Sequence, residues 1–198
     1  MDSAREIVAY LEALARELVA RGVRDHYHIL VTGGAWMLLA GQRRSTEDVD
    51  FALIVPPSRA RRDKVMGISV QHGGEIATRA SSSVFAQAIE SVAALYGLPI
   101  DWLNDECASY LYTDAPSASG YLWQSFSGVL HVYLPTAEYV FVLKVFAYRR
   151  KDRADVQALL QVLDIRTQAQ AQAVIDKFLS PEAQMFWEVP KKLKRLFR

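Results

Sequence analysis

The sequence predicts an α/β (α+β) protein: a small mixed β-sheet core with flanking helices, followed by a C-terminal helical region. Three observations predict it. Short runs of β-forming residues, Tyr27 to Val31 and Val49 to Val55, alternate with helical periodicities through the first two thirds of the chain. From Pro135 the texture changes to successive capped helical segments, which puts the boundary between residues 1–134 and 135–198. The composition is that of a globular protein, with 51% hydrophobic and 23% charged residues over 198 positions. A chain of that length can bury a core without disulfides, and the lone Cys107 permits no intramolecular one.

Ser3 with Glu6 forms a capping-box signature. Ile7, Leu11, Leu14 and Leu18 then recur at helical spacing, so residues 4 to 21 read as an amphipathic helix ending at Gly22. Tyr27 to Val31 reads as a strand, followed by Thr32-Gly33-Gly34 and a helix from Ala35 to Ala40. A second strand alternates Val49, Phe51, Leu53 and Val55 with Asp48, Asp50 and Ala52 until Pro56-Pro57. Residues 56 to 83 read as a surface excursion, with a basic patch (Arg59, Arg61, Arg62, Lys64) and a Gly/Ser-rich stretch from His72 to Ser83. Val84 to Tyr96 is a helix stopped by Gly97, and Leu98 to Leu103 a short strand carrying Asp101. Aromatic-rich segments at Ser109–Tyr112, Tyr121–Phe126 and Val129–Tyr133 suggest further β structure. Thr136, Asp152, Thr167 and Ser180 then open four helices in turn.

Net charge is +1, which excludes a uniformly basic nucleic-acid binder. Five of the 23 Lys and Arg residues lie in the last eight positions, leaving 18 against 22 Asp and Glu elsewhere. That tail and the Arg59–Lys64 patch could meet a polyanion backbone, and solvated surface explains them equally well. The first residues interleave charges with apolar positions, unlike a signal peptide, and no apolar run approaches the roughly 20 residues of a membrane span. A cytoplasmic protein is expected, with no membrane partner.

The chemistry concentrates in Gly33-Gly34 and Arg44-Ser45-Thr46-Glu47-Asp48-Val49-Asp50. Residues two apart in a strand point the same way, so the carboxylates of Asp48 and Asp50 converge and repel unless a cation sits between them. Hard oxygen ligands suit Mg²⁺ or Mn²⁺, ions that neutralise triphosphate charge and activate a hydroxyl. The glycines offer backbone N–H groups, unscreened by side chains, at a helix start that favours phosphate. Together these parts suggest a seat for a nucleoside triphosphate (NTP).

In this order and spacing, the stretch resembles the signature of the DNA polymerase beta-like nucleotidyltransferase superfamily. The Arg-x-Thr-x-Asp-x-Asp arrangement of Arg44, Thr46, Asp48 and Asp50 is similar to its toxin and antitoxin branches. The resemblance implies a third acidic metal ligand on a neighbouring strand: Asp101, or alternatively Asp105 in the same Asp-Trp-Leu-Asn-Asp segment. Downstream, Lys144 stands in an otherwise apolar helix, where a lysine either snorkels or meets a charged ligand. Asp152 and Asp155 have ready readings as an N-cap and a first-turn carboxylate.

Pro-Thr-Ala-Glu-Tyr, the Lys144 helix and Arg-Lys-Asp-x-x-Asp resemble the downstream part of an uncharacterised bacterial nucleotidyltransferase family related to AbiE-type abortive-infection toxins. That resemblance runs from about Ile29 to about Leu179. It implies Lys144 as a phosphate or transition-state contact and Asp155 as an acidic active-site residue, so that the helical region completes the active site. It further implies transfer of a nucleotide from an NTP to RNA, plausibly the 3′ end of a tRNA, with a cognate antitoxin or toxin protein as a possible partner. The alternatives are nucleotide transfer to a protein hydroxyl, as in minimal antitoxin enzymes, and a catalytically silent binding module of the same fold. His26, His28, His72 and His131 lack zinc-ligand spacing and read as structural or surface residues.

Overall fold

The computed structural model describes residues 1–58, 64–71, 76–77 and 83–198. Ser3 opens α1 (Ala4–Ala20), its hydroxyl accepting from Glu6 N, while the Glu6 carboxylate accepts from Asp2 N rather than closing the box on Ser3. Ile7, Leu11, Leu14 and Leu18, spaced four, three and four apart, are all fully buried against the sheet layer.

The sheet has six strands: β1 (Tyr27–Val31), β2 (Val49–Leu53), β3 (Met66–Ser69), β4 (Leu103–Asn104), β5 (Ser117–Phe126) and β6 (Leu130–Pro135). Their spatial order is β3-β5-β6-β1-β2-β4, which makes a mixed sheet. β1 pairs antiparallel with β2 (Val31↔Phe51) and parallel with β6 (His28↔His131); β2 pairs parallel with β4 (Asp50↔Asn104). Helix α2 (Gly33–Leu39) follows β1 directly and is tied across the sheet by Trp36 Nε1, which donates to Pro135 O at 2.9 Å. Helix α3 (Val84–Tyr96) starts at Ser83 and stops at Gly97 in the left-handed conformation, φ +65°.

Beyond β6 the chain is helical. Helix α5 (Ala137–Ala147) buries Tyr139, Val140, Phe141, Val142, Val145 and Phe146, so nearly its whole circumference is core, with Lys144 the exception in chemistry but not in burial. A 3-10 turn (Arg150–Asp152) leads into α6 (Arg153–Val162), then α7 (Gln168–Ile175), α8 (Pro181–Phe186) and α9 (Val189–Leu196). One hydrophobic core runs from α1 through the sheet into α5, α7 and α9. No helix among the described residues is long and apolar enough to cross a membrane.

Four segments depart from the sequence expectation. Ser109–Tyr112 is not β structure but part of helix α4 (Ala108–Asp114): its tyrosines favour strands, yet only Ala108 and Leu111, three apart, face inward. The excursion after Pro57 contains β3, an edge strand whose only fully buried residue is Ile68, too short to show a period. The strand expected over Leu98–Leu103 shrinks to Leu103–Asn104, because Trp102 N bonds back to Pro99 O at 3.1 Å and closes a turn over Ile100 and Asp101. The last helix breaks in two at Glu188, which takes φ +53°. Arg59, Arg61, Arg62, His72 and most of the Gly/Ser-rich stretch lie outside the described residues.

Candidate active site

Two cavities meet at Asp50, Lys144 and Arg149. The larger, about 390 Å³, is lined by Gly34, Arg43, Thr46, Asp48, Lys151 and Asp152 among others; the smaller, about 150 Å³, by Thr32, Gly33, Glu106, Cys107, Tyr110 and the inner face of α5. The larger volume lies within the range of small-molecule pockets.

Asp50 is central because β2 presents it where β1 ends. Thr32 N donates to Asp50 O at 2.9 Å, and the next residue, Gly33, takes φ +63°. A Cβ at Gly33 would overlap Asp50 Oδ2, and one at Gly34 would overlap Thr46 Oγ1 and stand 2.8 Å from Arg43 Nη1. The glycines therefore clear room for the carboxylate and for the turn before β2. Burial and the neighbouring charge of Asp48 push the Asp50 carboxyl up to about 6, against the opposing pull of Lys144, Arg149 and Lys151. Thr46 is buried, and its hydroxyl donates to Asp48 O at 3.0 Å, so it shapes this turn.

Lys144 is 5% exposed and held by two carboxylates, with Nζ 3.0 Å from Asp152 Oδ1 and 2.8 Å from Asp155 Oδ2. Arg149 reaches Asp152 from the other side: its backbone N (3.1 Å) and Nε (2.8 Å) both donate to Oδ2. Burial alone would raise the Asp152 carboxyl, but Arg149 and Lys144 outweigh it and hold Asp152 below the usual carboxylate range. Asp155 Oδ2 has Arg43 Nη1 at 3.8 Å besides Lys144, yet neither contact is aligned as a hydrogen bond. An ammonium has three donors, and of its two carboxylate contacts only the one to Asp152 is an aligned hydrogen bond, so Lys144 keeps donor capacity for a ligand in the cleft.

Several sequence-designated residues fall elsewhere. Asp101 is exposed in the turn before β4 and lines neither cavity, so it does not join Asp48 and Asp50. The residue in register with Asp50 is Asn104, whose amide donates to Asp101 O and accepts from Glu106 N. Asp105, the alternative, is fully buried and accepts from Ile76 N and Ala77 N, bracing a loop. Arg44 is exposed and outside both cavities; its neighbour Arg43 faces the cleft instead. Asp155 also lines neither cavity and stands behind Lys144, positioning it rather than facing an acceptor.

Asp152, Arg149, Lys151 and Arg43 are the cleft residues that sequence reasoning missed. For Asp152 the cap reading competed, although its side chain caps not α6 but the preceding 3-10 turn, accepting from Arg149 N. A buried lysine eight residues before a carboxylate across a helix break was the available signal.

The donor set fits one hard divalent cation. Asp48 and Asp50 supply adjacent oxygens whose mutual repulsion a cation would relieve, and Mg²⁺ completes its shell with water and phosphate rather than with a full protein cage. Among the described residues, no three His, Cys, Asp or Glu side chains converge as a ready-made metal cluster. A fully protein-ligated site built on Asp48, Asp50 and Asp101 is therefore not what the fold presents.

No protein-family model matches the chain, and no curated protein is similar to it. Among solved structures it is similar to the crystal structure of an antigenic nucleotidyltransferase-like protein from Paracoccidioides brasiliensis. Identity is 14%, coverage 97% of this chain and 94% of that one, and the TM-score 0.36. At that score the likeness carries no argument, and the functional reading rests on the residues of the cleft.

Proposed function

We propose that the chain is a metal-dependent nucleotidyltransferase, moving a nucleoside monophosphate from an NTP to an acceptor hydroxyl. One observation carries the reading: Asp48 and Asp50 open onto the same cleft as Arg43, Lys144, Arg149 and Lys151. A carboxylate pair facing several cations suits a ligand that brings both a divalent metal and polyphosphate charge.

In this scheme Asp48 and Asp50 hold the metal, and Arg43, Arg149 and Lys151 orient the phosphates. Lys144, fixed by Asp152 and Asp155, offers a free donor where charge develops. Bound Mg²⁺ or Mn²⁺ would neutralise triphosphate charge and favour ionisation of the attacking hydroxyl. The acceptor oxygen forms a bond to the α-phosphorus as the bond from that phosphorus to the α–β bridging oxygen breaks; the hydroxyl proton passes to solvent water and the electron pair of the broken bond leaves with pyrophosphate. RNA, plausibly a tRNA 3′ end, is the proposed acceptor, and a toxin role in a toxin-antitoxin or abortive-infection system follows only from the sequence resemblance.

A second reading has one observation in its favour. Asn104 occupies the strand position beside Asp50, so a module of this fold that binds nucleotide without turning it over is the competing account.

Both readings are separated by incubating the chain with Mg²⁺ and each labelled NTP, with total tRNA and separately with cell protein, alongside an Asp48→Ala/Asp50→Ala double variant. Label entering RNA only with the intact chain supports the proposal. Label in protein redirects the acceptor to a protein hydroxyl, and nucleotide binding without transfer to either favours the silent module.

A further inference from the structure

The structure gathers three histidines that the sequence keeps apart. His26 precedes β1, His28 is its second residue, and His131 is the second residue of the parallel strand β6, in direct register with His28. His26 Nδ1 lies 3.0 Å from His131 Nε2. The ring of His28 is stacked on that of His131 with centroids 4.6 Å apart, and lies 6.4 Å from that of His26. His28 and His131 sit near the start of β1 and His26 just before it, at the opposite end of that strand from Gly33.

His131 has both ring nitrogens engaged, Nε2 with His26 and Nδ1 on the far side of its ring, whereas His28 has only Nδ1 engaged. His131 Nδ1 meets Ser125 Oγ at 2.9 Å, and His28 Nδ1 meets Tyr133 Oη at 3.1 Å. The Ser125 contact holds the His131 ring with Nε2 toward His26 Nδ1, an outer partner of the kind that presents an imidazole to a metal able to replace the proton this pair shares.

We infer that His26 and His131, with His28 as a third ligand, form a site for a borderline transition-metal ion of the Zn²⁺ class. Two nitrogens bound tetrahedrally at about 2.0–2.1 Å stand roughly 3.3 Å apart, close to the separation this pair already has. As the rings stand, no three metal-ligating side chains among the described residues converge on one point. Closing the site therefore needs the His28 ring to leave Tyr133 Oη and turn so that its Nε2 joins the pair. Imidazole nitrogens select Zn²⁺, Ni²⁺ or Cu²⁺ over Mg²⁺ and Mn²⁺, which the oxygen donors of Asp48 and Asp50 prefer.

The test is a calorimetric titration of the full chain with Zn²⁺ alone, at pH 7 and without nucleotide. It compares the unaltered chain with His26→Gln, His131→Gln and the Asp48→Ala/Asp50→Ala variant. One site weakened at least tenfold by each histidine substitution, and not by the aspartate pair, is the expected result. Absence of Zn²⁺ binding, or binding weakened less than tenfold by the histidine substitutions, would overturn the inference. His26 is exposed, so His26→Gln carries the test should His131→Gln fail to fold. Replacing Zn²⁺ with Co²⁺ gives a second readout, visible absorption of a tetrahedral ion that the His26→Gln chain lacks.

Discussion

Gly33 and Asp50 compete for the same space: a Cβ on Gly33 would overlap Asp50 Oδ2, and Gly33 sits at φ +63°. Gly33→Ala therefore meets two obstacles, left-handed backbone strain and a collision with the carboxylate on which the cleft is centred. We expect a loss of roughly 1–3 kcal/mol in stability, read as a lower urea midpoint with unchanged slope, together with loss of metal-dependent nucleotide binding. An alanine variant matching the unaltered chain in both would mean that Asp50 has room to move.

Lys144 neutralises two buried carboxylates at once. Lys144→Met removes the cation and leaves Asp152 and Asp155, 1% and 5% exposed, facing each other's charge. Breaking a buried pair from one side costs about 3–5 kcal/mol, so the variant should unfold at much lower urea at pH 7. Adding Asp155→Asn should recover part of the loss, because Arg149 still holds Asp152 whereas Asp155 is left with only Arg43 at 3.8 Å. Equal stability of Lys144→Met and the unaltered chain would contradict the arrangement.

The clearest divergence from sequence expectation concerns Asp101. Its exposure and its absence from both cavities predict that Asp101→Asn leaves nucleotide transfer within about threefold, whereas Asp50→Asn lowers it at least a hundredfold, the scale of losing an electrostatic group at the reacting centre. Initial rates at saturating Mg²⁺ decide the matter. A hundredfold loss in Asp101→Asn would restore the three-carboxylate site.

Much of the layout was legible because its signals are local. The Ser3 cap, the stop at Gly97, and the Gly33-Gly34 and Asp48-x-Asp50 spacings each act within a few residues, and the fold keeps them. What was not legible depends on register and on turns. Whether Asp101 or Asn104 stands beside Asp50 is set by the turn that Pro99 O closes on Trp102 N, and whether Arg43 or Arg44 enters the cleft by the coil before β2. The histidines read as isolated because His28 and His131 are 103 positions apart in sequence, and only the parallel pairing of β1 and β6 makes them neighbours.

Acid should act through that cluster. Burial, first, and then the charges of His131 and His26 push the His28 imidazole from its ordinary 6.5 down to about 4. The unfolded chain therefore binds more protons between those values, and folded stability contributed by neutral His28 is present above pH 6.5 and declines as pH falls toward 4. His28→Gln should flatten the stability profile in that window. A profile of the same steepness in the variant would assign the acid sensitivity to other groups.

The central claim is that the Asp48–Asp50 pair takes a metal together with nucleotide. Mn²⁺ binding, followed by the paramagnetic signal of the free ion, with and without a non-hydrolysable NTP analogue, tests it most directly. The account predicts that the analogue tightens Mn²⁺ binding at least tenfold in the unaltered chain and has no such effect in Asp50→Asn. Mn²⁺ binding that ignores the analogue, or that survives Asp50→Asn unchanged, would contradict it.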